Sequence, residues 1–211
     1  ARDLAAATKT KLDLLYAAQT SYAATVATEK AAEITRIKSM QAQSDALARV
    51  LAARAKAARE AAARAARRPG SQGAQRSSNG FLSYPVNAPV SSEFGMRYDP
   101  VMQRTQLHAG IDFAANCGTP VHAAADGDVI MATPESQSGG YGNRLVIDHG
   151  IVGKFDLTTT YNHLTSFVVT GGHVARGQVV AYSGTTGFST GCHLHFETRQ
   201  DGTPVNPRNW L

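Results

Sequence analysis

The 211 residues carry a formal net charge of +5, 19 glycines, 8 prolines and 2 cysteines, and these averages describe neither half of the chain. Every glycine lies at Gly70 or beyond, and residues 1–80 hold 14 Lys+Arg against 6 Asp+Glu where residues 81–211 hold 7 against 10. One evenly built globule and a wholly disordered chain are both excluded, and no run approaches the ~18–20 apolar residues of a membrane-spanning helix.

The chain opens at Ala1 without an apolar signal core, which reads as a removed signal or an excised piece and does not argue for the cytoplasm. Residues 1–68 hold 24 alanines among Lys, Arg, Gln, Glu and Leu, with no glycine or proline. These are the strongest helix formers, so one helix of roughly 100 Å is expected. A helix that long has no core of its own and must lie against something else. Leu12, Leu15, Tyr22 and Val26 fit a and d positions around a polar Gln19; Ile37, Met40, Leu47 and Leu51 form a second frame around Ser44. The offset between the frames is a four-residue stutter, and the whole reads as a coiled-coil or antiparallel helical stalk. The basic run from Arg49 to Arg68, with Glu60 as its one acid, reads as a solvated face before it reads as a surface for anionic polymer or membrane.

Residues 69–80, Pro-Gly-Ser-Gln-Gly-Ala-Gln-Arg-Ser-Ser-Asn-Gly, have the composition of a flexible linker, and the helix ends near Arg68 because Pro69 restricts the residue before it. From Phe81 the pattern becomes short β-branched runs between glycine-rich turns: Thr119–His122, Asp128–Met131, Arg144–Asp148, Phe167–Thr170 and Gln178–Tyr182. Residues 81–211 are therefore expected to form an all-β domain of antiparallel sheets, large enough to bury a core.

All seven histidines lie in this half. His108-Ala-Gly-Ile-Asp112 suggests a turn entering a strand. Tyr161-Asn-His163-Leu and Cys192-His193-Leu-His195-Phe-Glu197 are the other clusters. On a strand of period two, His193, His195 and Glu197 face one way while Leu194 and Phe196 face the core. A His-x-His pair alone is as often structural as metal-binding, and His-x-x-x-Asp alone is near noise. Together they outline a cage of two imidazoles and a carboxylate with an open position, the ligand count of a catalytic zinc site.

In this order the motifs resemble the M23 family of zinc metallopeptidases, the lysostaphin-like or LytM peptidases. The resemblance runs from Phe94-Gly-Met-Arg97 through His108-Ala-Gly-Ile-Asp112, Tyr141-Gly-Asn143, Tyr161-Asn-His-Leu164 and His193-Leu-His-Phe-Glu197 to Pro204-Val-Asn-Pro207. It implies a LytM-type antiparallel fold, with His108, Asp112 and His195 as zinc ligands and His163 and His193 as the catalytic pair. One of that pair would take a proton from water while the other steadies the tetrahedral oxyanion. The implied reaction is hydrolysis of a peptide bond in bacterial peptidoglycan, stem cross-links before interpeptide bridges, in the cell envelope or outside the cell. The alternative is a regulatory or scaffold protein whose coiled coil activates another wall hydrolase; the five filled positions favour the enzyme. The stalk would serve a membrane or divisome-type protein partner or self-association, and no nucleic-acid partner is expected.

Cys192 departs from the proline often found there in the family. Since Cys117 and Cys192 flank motifs that must meet at one metal, a disulfide between them is expected, ahead of a reduced pair. His122 is expected on the sheet surface, His149 as a turn residue bonding locally and His173 as exposed. Glu197 could orient a ligand or be structural, and Tyr161 could meet substrate or pack. Asn143 and Thr190 are expected in loops lining the groove.

Overall fold

The computed structural model describes residues 2–66, 80–99 and 104–211. The expected linker falls outside the described residues except at Gly80. Helix α1 spans Arg2–Ala66, 65 residues. Its threonines, weaker helix formers, are accommodated by donating back along the helix, as Thr20 does to the Tyr16 carbonyl and Thr35 to that of Ala31.

The strands are β1 (Val90–Ser92), β2 (Gly95–Asp99), β3 (Arg104–His108), β4 (Ile111–Phe113), β5 (Pro120–His122), β6 (Gly127–Thr133), β7 (Asn143–Val152), β8 (Phe155–Leu164), β9 (Ser166–Phe167), β10 (Gly172–Val174), β11 (Val179–Tyr182), β12 (Leu194–Gln200) and β13 (Thr203–Val205). They form an eight-stranded sheet in the order β1-β4-β12-β8-β7-β6-β10, with β13 also paired to β12. A smaller sheet runs β5-β11-β9, and β2 and β3 make a separate hairpin. The pairings are antiparallel, as the alternating pattern requires. The expected strand over Phe167–Thr170 shortens to β9: Ser166 and Phe167 pair in register with β11, and beyond them the Val168 and Val169 amides both converge on the Val180 carbonyl.

The main core lies between the large sheet and the β5-β11-β9 layer, where Ile111, Phe113, Val121, Leu145, Ile147, Tyr161, Val180, Leu194 and Phe196 are fully buried. A second core lies on the other face of the large sheet. There Leu47 and Leu51 of α1 pack on Val146, with Ile130 and Met131 beside them. The two apolar frames of α1 thus have different fates. Leu12 and Tyr22 of the first remain 50% and 73% exposed, whereas Ile37, Leu47 and Leu51 of the second fall to 8%, 3% and 1%. Among the described residues the second frame packs on the β domain, Leu47 and Leu51 on the large sheet and Met40 on the 3-10 turn Gly139–Tyr141.

Two glycines show how closely α1 sits. A side chain at Gly140 would collide with Met40, and one at Gly202 with the Ala48 carbonyl. The docking also removes the alternating exposure expected of β12, whose residues 194–199 are buried on both faces. One face meets the main core and the other meets α1.

Candidate metal centre

Strand pairing brings the distant motifs together. His195 on β12 sits directly opposite Asp112 on β4. His108 ends β3, and the Ala109-Gly110 turn carries the chain into β4. Gly110 passes so close to the Phe196 carbonyl that any Cβ there would strike it, so the turn needs a glycine to hold His108 beside β12. His163, next to last in β8, adopts φ 59°, a left-handed conformation rare outside glycine. Strain of this kind concentrates at functional sites. His193 is anchored by an isolated bridge to Gly184 and by its neighbour Cys192, which is disulfide-bonded to Cys117 with Cα atoms 5.0 Å apart. The expected disulfide is present.

His108 Nε2, Asp112 Oδ1 and His195 Nδ1 converge. The two nitrogens are 3.1 Å apart, and the carboxylate oxygen is 3.2 Å from the first and 2.7 Å from the second. The outer nitrogen of each ring is occupied. His108 Nδ1 donates to the Glu93 carbonyl at 2.7 Å, and His195 Nε2 lies 3.2 Å from Glu197 Oε1. With those protons on the outer nitrogens, the inner three atoms are all acceptors. Three acceptors facing one another fit a cation, and carbonyl- or carboxylate-backed imidazoles are the usual form of metal-ligating histidines.

The charges agree. Burial opposes the ionised form of Asp112, but the His108 and His195 imidazoles beside it, when protonated toward it, overcome that and hold the carboxyl far below its ordinary range. Burial likewise opposes a charged His195, yet Asp112 and Glu197 hold its pKa up at about 9. The space between the two carboxylates therefore favours positive charge, whether a proton or a metal ion.

Two further imidazoles stand beside this group, with the His163 and His193 ring centroids 4.7 Å apart. His163 Nδ1 donates to the Thr186 carbonyl at 2.8 Å and His193 Nδ1 to that of Gly191 at 2.8 Å. In the neutral form of each ring that leaves Nε2 as an acceptor. That of His193 is 4.0 Å from Asp112 Oδ1. Burial, aided by the charge on His195, lowers the His163 pKa to about 3 and keeps that ring neutral. All five residues line one groove of about 730 Å³, whose other wall is α1 through Ile37, Met40, Gln41, Ser44 and Asp45.

The remaining expectations divide. Thr190 lines the groove. Asn143 instead ties strand ends together, donating to the Leu164 and Thr165 carbonyls and accepting from the Glu135 amide. Tyr161 is packed against Phe196, its hydroxyl accepting the Ala124 amide. His173 is exposed beside Asp128, and His122 meets the Pro85 carbonyl at the sheet edge. His149 is not a local turn residue. It lies buried within β7 and bridges the Asp126 carbonyl and Thr159, because β6 and β8 flank it in the sheet. Glu197 is buried against His195, which resolves its two readings in favour of contact with that imidazole. Arg199 was not foreseen, although it continues the period-two series 193, 195, 197. Tyr141 was foreseen only as a landmark. It lines the groove with its ring centroid 6.3 Å from that of His195, and burial, then the charge on Glu197, push its pKa up to about 12.

A sheet-borne His/Asp/His group with two further imidazoles over a groove has the make-up of a metal-dependent catalytic site. The model of peptidase family M23 matches residues 106–207. The chain is 45% identical over 122 residues to the DD-carboxypeptidase/endopeptidase Mpg of Neisseria meningitidis serogroup B, a match covering 58% of this chain and 27% of that protein. Among solved structures, a zinc-containing peptidase from Vibrio cholerae aligns with TM-score 0.55 and 37% identity over 64% of this chain and 40% of that one. The catalytic domain of the prophage-encoded M23 protein EnpA from Enterococcus faecalis aligns with TM-score 0.50 and 30% identity over 61% of this chain and 95% of that one. The chain belongs to peptidase family M23, which implies a metal, and the His/Asp/His group fits one.

Proposed function

We propose that this chain is a zinc-dependent endopeptidase hydrolysing peptide bonds of bacterial peptidoglycan, stem cross-links before interpeptide bridges, in the cell envelope or outside the cell. Residues 81–211 would form the catalytic domain, 69–80 its linker and 1–68 the helical element. The observation carrying this reading is the convergence of His108 Nε2, Asp112 Oδ1 and His195 Nδ1 within 3.2 Å of one another. Two imidazoles and one carboxylate suit zinc and leave a position open. When bound, the ion supplies an electrophile for the scissile carbonyl and acidifies a water.

The chain's own residues supply the proton path. An oxyanion partner must donate a hydrogen bond, and His163, neutral with its Nδ1 proton on Thr186, has only an acceptor to offer. His163 is therefore assigned to orienting the water. His193 takes the proton at Nε2, 4.0 Å from Asp112 Oδ1, and returns it to the leaving amine. The likeness to the peptidoglycan DD-endopeptidase ShyA of Vibrio cholerae and the joined Cys117 and Cys192 support action on the wall outside the cytoplasm. Because α1 forms one wall of the groove, its seating is assigned the metering of access, which joins the enzymatic reading to the regulatory one.

The test is zinc content together with hydrolysis of purified sacculi by wild type and His193→Ala. Stoichiometric zinc in both, with new peptide termini from wild type alone, is expected. Full zinc occupancy without hydrolysis by wild type would favour a regulator.

A further inference from the structure

One buried chain of contacts leads from the metal group to α1. His195 Nε2 meets Glu197 Oε1 at 3.2 Å. Glu197 Oε2 accepts from Arg199 Nε at 2.8 Å and from the Thr160 hydroxyl at 3.2 Å. Beyond Glu197 the guanidinium reaches α1, where Nη2 donates to Ser44 Oγ at 2.9 Å and Nη1 to the Ser44 carbonyl at 3.4 Å. Nη1 also donates to the Gly202 carbonyl at 3.1 Å. The side chains of Glu197 and Arg199 are 1% and 0% exposed, so neither charge is solvated by water and each depends on the other.

These positions share one face of β12, and a rigid guanidinium fork fixes a carboxylate in direction as well as charge. Glu197 in turn fixes which nitrogen of His195 carries its proton. Without the Ser44 hydroxyl, Nη2 of Arg199 loses its partner in a closed space, while Nη1 keeps the main-chain carbonyls of residue 44 and Gly202.

We propose that Glu197 and Arg199 are positioning residues for His195 and that Ser44 of α1 completes them, so that the seating of α1 on the sheet sets the affinity for the metal. This rests on the metal reading above. It assigns to a helix residue with no place in the ligand set a direct effect on metal binding.

The experiment measures zinc affinity of the 211-residue chain by competition with a chromophoric chelator, for wild type, Ser44→Ala, Glu197→Gln, Arg199→Lys and Arg199→Met. Melting of the metal-free proteins and the ring N–H resonance of His195 in zinc-loaded, histidine-15N-labelled protein accompany it. Losing a partner that orients a metal ligand costs about 10–100-fold in affinity, the loss expected for Glu197→Gln and Arg199→Met, with partial recovery in Arg199→Lys. Ser44→Ala is expected to lose about threefold and to shift the His195 resonance while melting as wild type does without metal. If Arg199→Met does not fold, Glu197→Gln and Ser44→Ala decide. Folded Glu197→Gln and Ser44→Ala binding zinc within about twofold of wild type, with an unmoved resonance, would overturn the proposal. A wild-type chain that binds no zinc overturns the metal reading, and this proposal with it.

Discussion

Leu47→Ala with Leu51→Ala tests whether α1 is held on the sheet by the contact that the second core describes. The two leucines are 3% and 1% exposed and meet Val146, Ile130 and Met131. Each truncation of a leucine buried this deeply costs about 2–5 kcal/mol. The ion pairs beside them, Arg54–Asp148 and Arg59–Asp201, have arginine side chains 50% and 46% exposed. Such pairs are screened by solvent and contribute little. The leucines therefore dominate, and losing about 4 kcal/mol shifts the docking equilibrium by about a thousandfold. Limited trypsin digestion followed by mass spectrometry reads this directly at Arg54, Lys56 and Arg59. These bonds are expected to resist in wild type and to be cut rapidly in the double variant, while the β domain stays intact. At saturating zinc, hydrolysis of cross-linked muropeptides is expected to rise as the groove opens. Equal digestion of the two proteins would refute the docking energetics. Faster digestion with unchanged hydrolysis would show that α1 is a wall of the groove and not its gate.

Joining Cys117 to Cys192, 75 positions apart, removes about 4.5 kcal/mol of unfolded-chain entropy. A reductant is therefore expected to lower Tm by about 10 °C, and thiol titration of the native protein to find none. His163→Ala and His193→Ala are each expected to keep zinc and lose at least about 100-fold in hydrolysis; loss of zinc from either would move it into the ligand set. Burial, then the charges on Asp148 and Asp201, raise the Asp156 pKa from 3.8 to about 6. Between those values the folded chain holds a proton that the unfolded chain has released, so stability falls as pH rises through that window. Asp156→Asn is expected to raise Tm at about pH 8 and leave it unchanged at about pH 3.5, as calorimetry at both values will show.

The cage was legible in the sequence because its parts are short and contiguous. His108 and Asp112 flank a glycine turn, and His195 sits in a strand whose alternation separates it from Leu194 and Phe196. What alternation cannot convey is the second layer. The heptad frame around Ser44 reports an apolar stripe of the right period, and the same stripe serves a sheet as well as a helix. For that reason neither the seating of α1 nor the partner of Arg199 could be read. Nothing in Tyr161-Asn-His163-Leu signals the positive φ of His163, which goes with its ring bond to the Thr186 carbonyl at the end of β8. His149 reads as a turn residue because Gly150 follows it, whereas the long β7 continues through both.

Three of the four histidines in the groove take their orientation from main-chain carbonyls: His108 from Glu93, His163 from Thr186 and His193 from Gly191. A carbonyl survives almost any change to its own side chain, so those orientations are robust to drift at positions 93, 186 and 191. His195 takes its orientation from a carboxylate, and that carboxylate takes its own from a guanidinium. Mutational fragility is thereby gathered into one imidazole and two residues of the same strand. A homologue that keeps all five groove residues but has lost the acid or the base at positions 197 and 199 would look intact by inspection and yet hold its metal poorly.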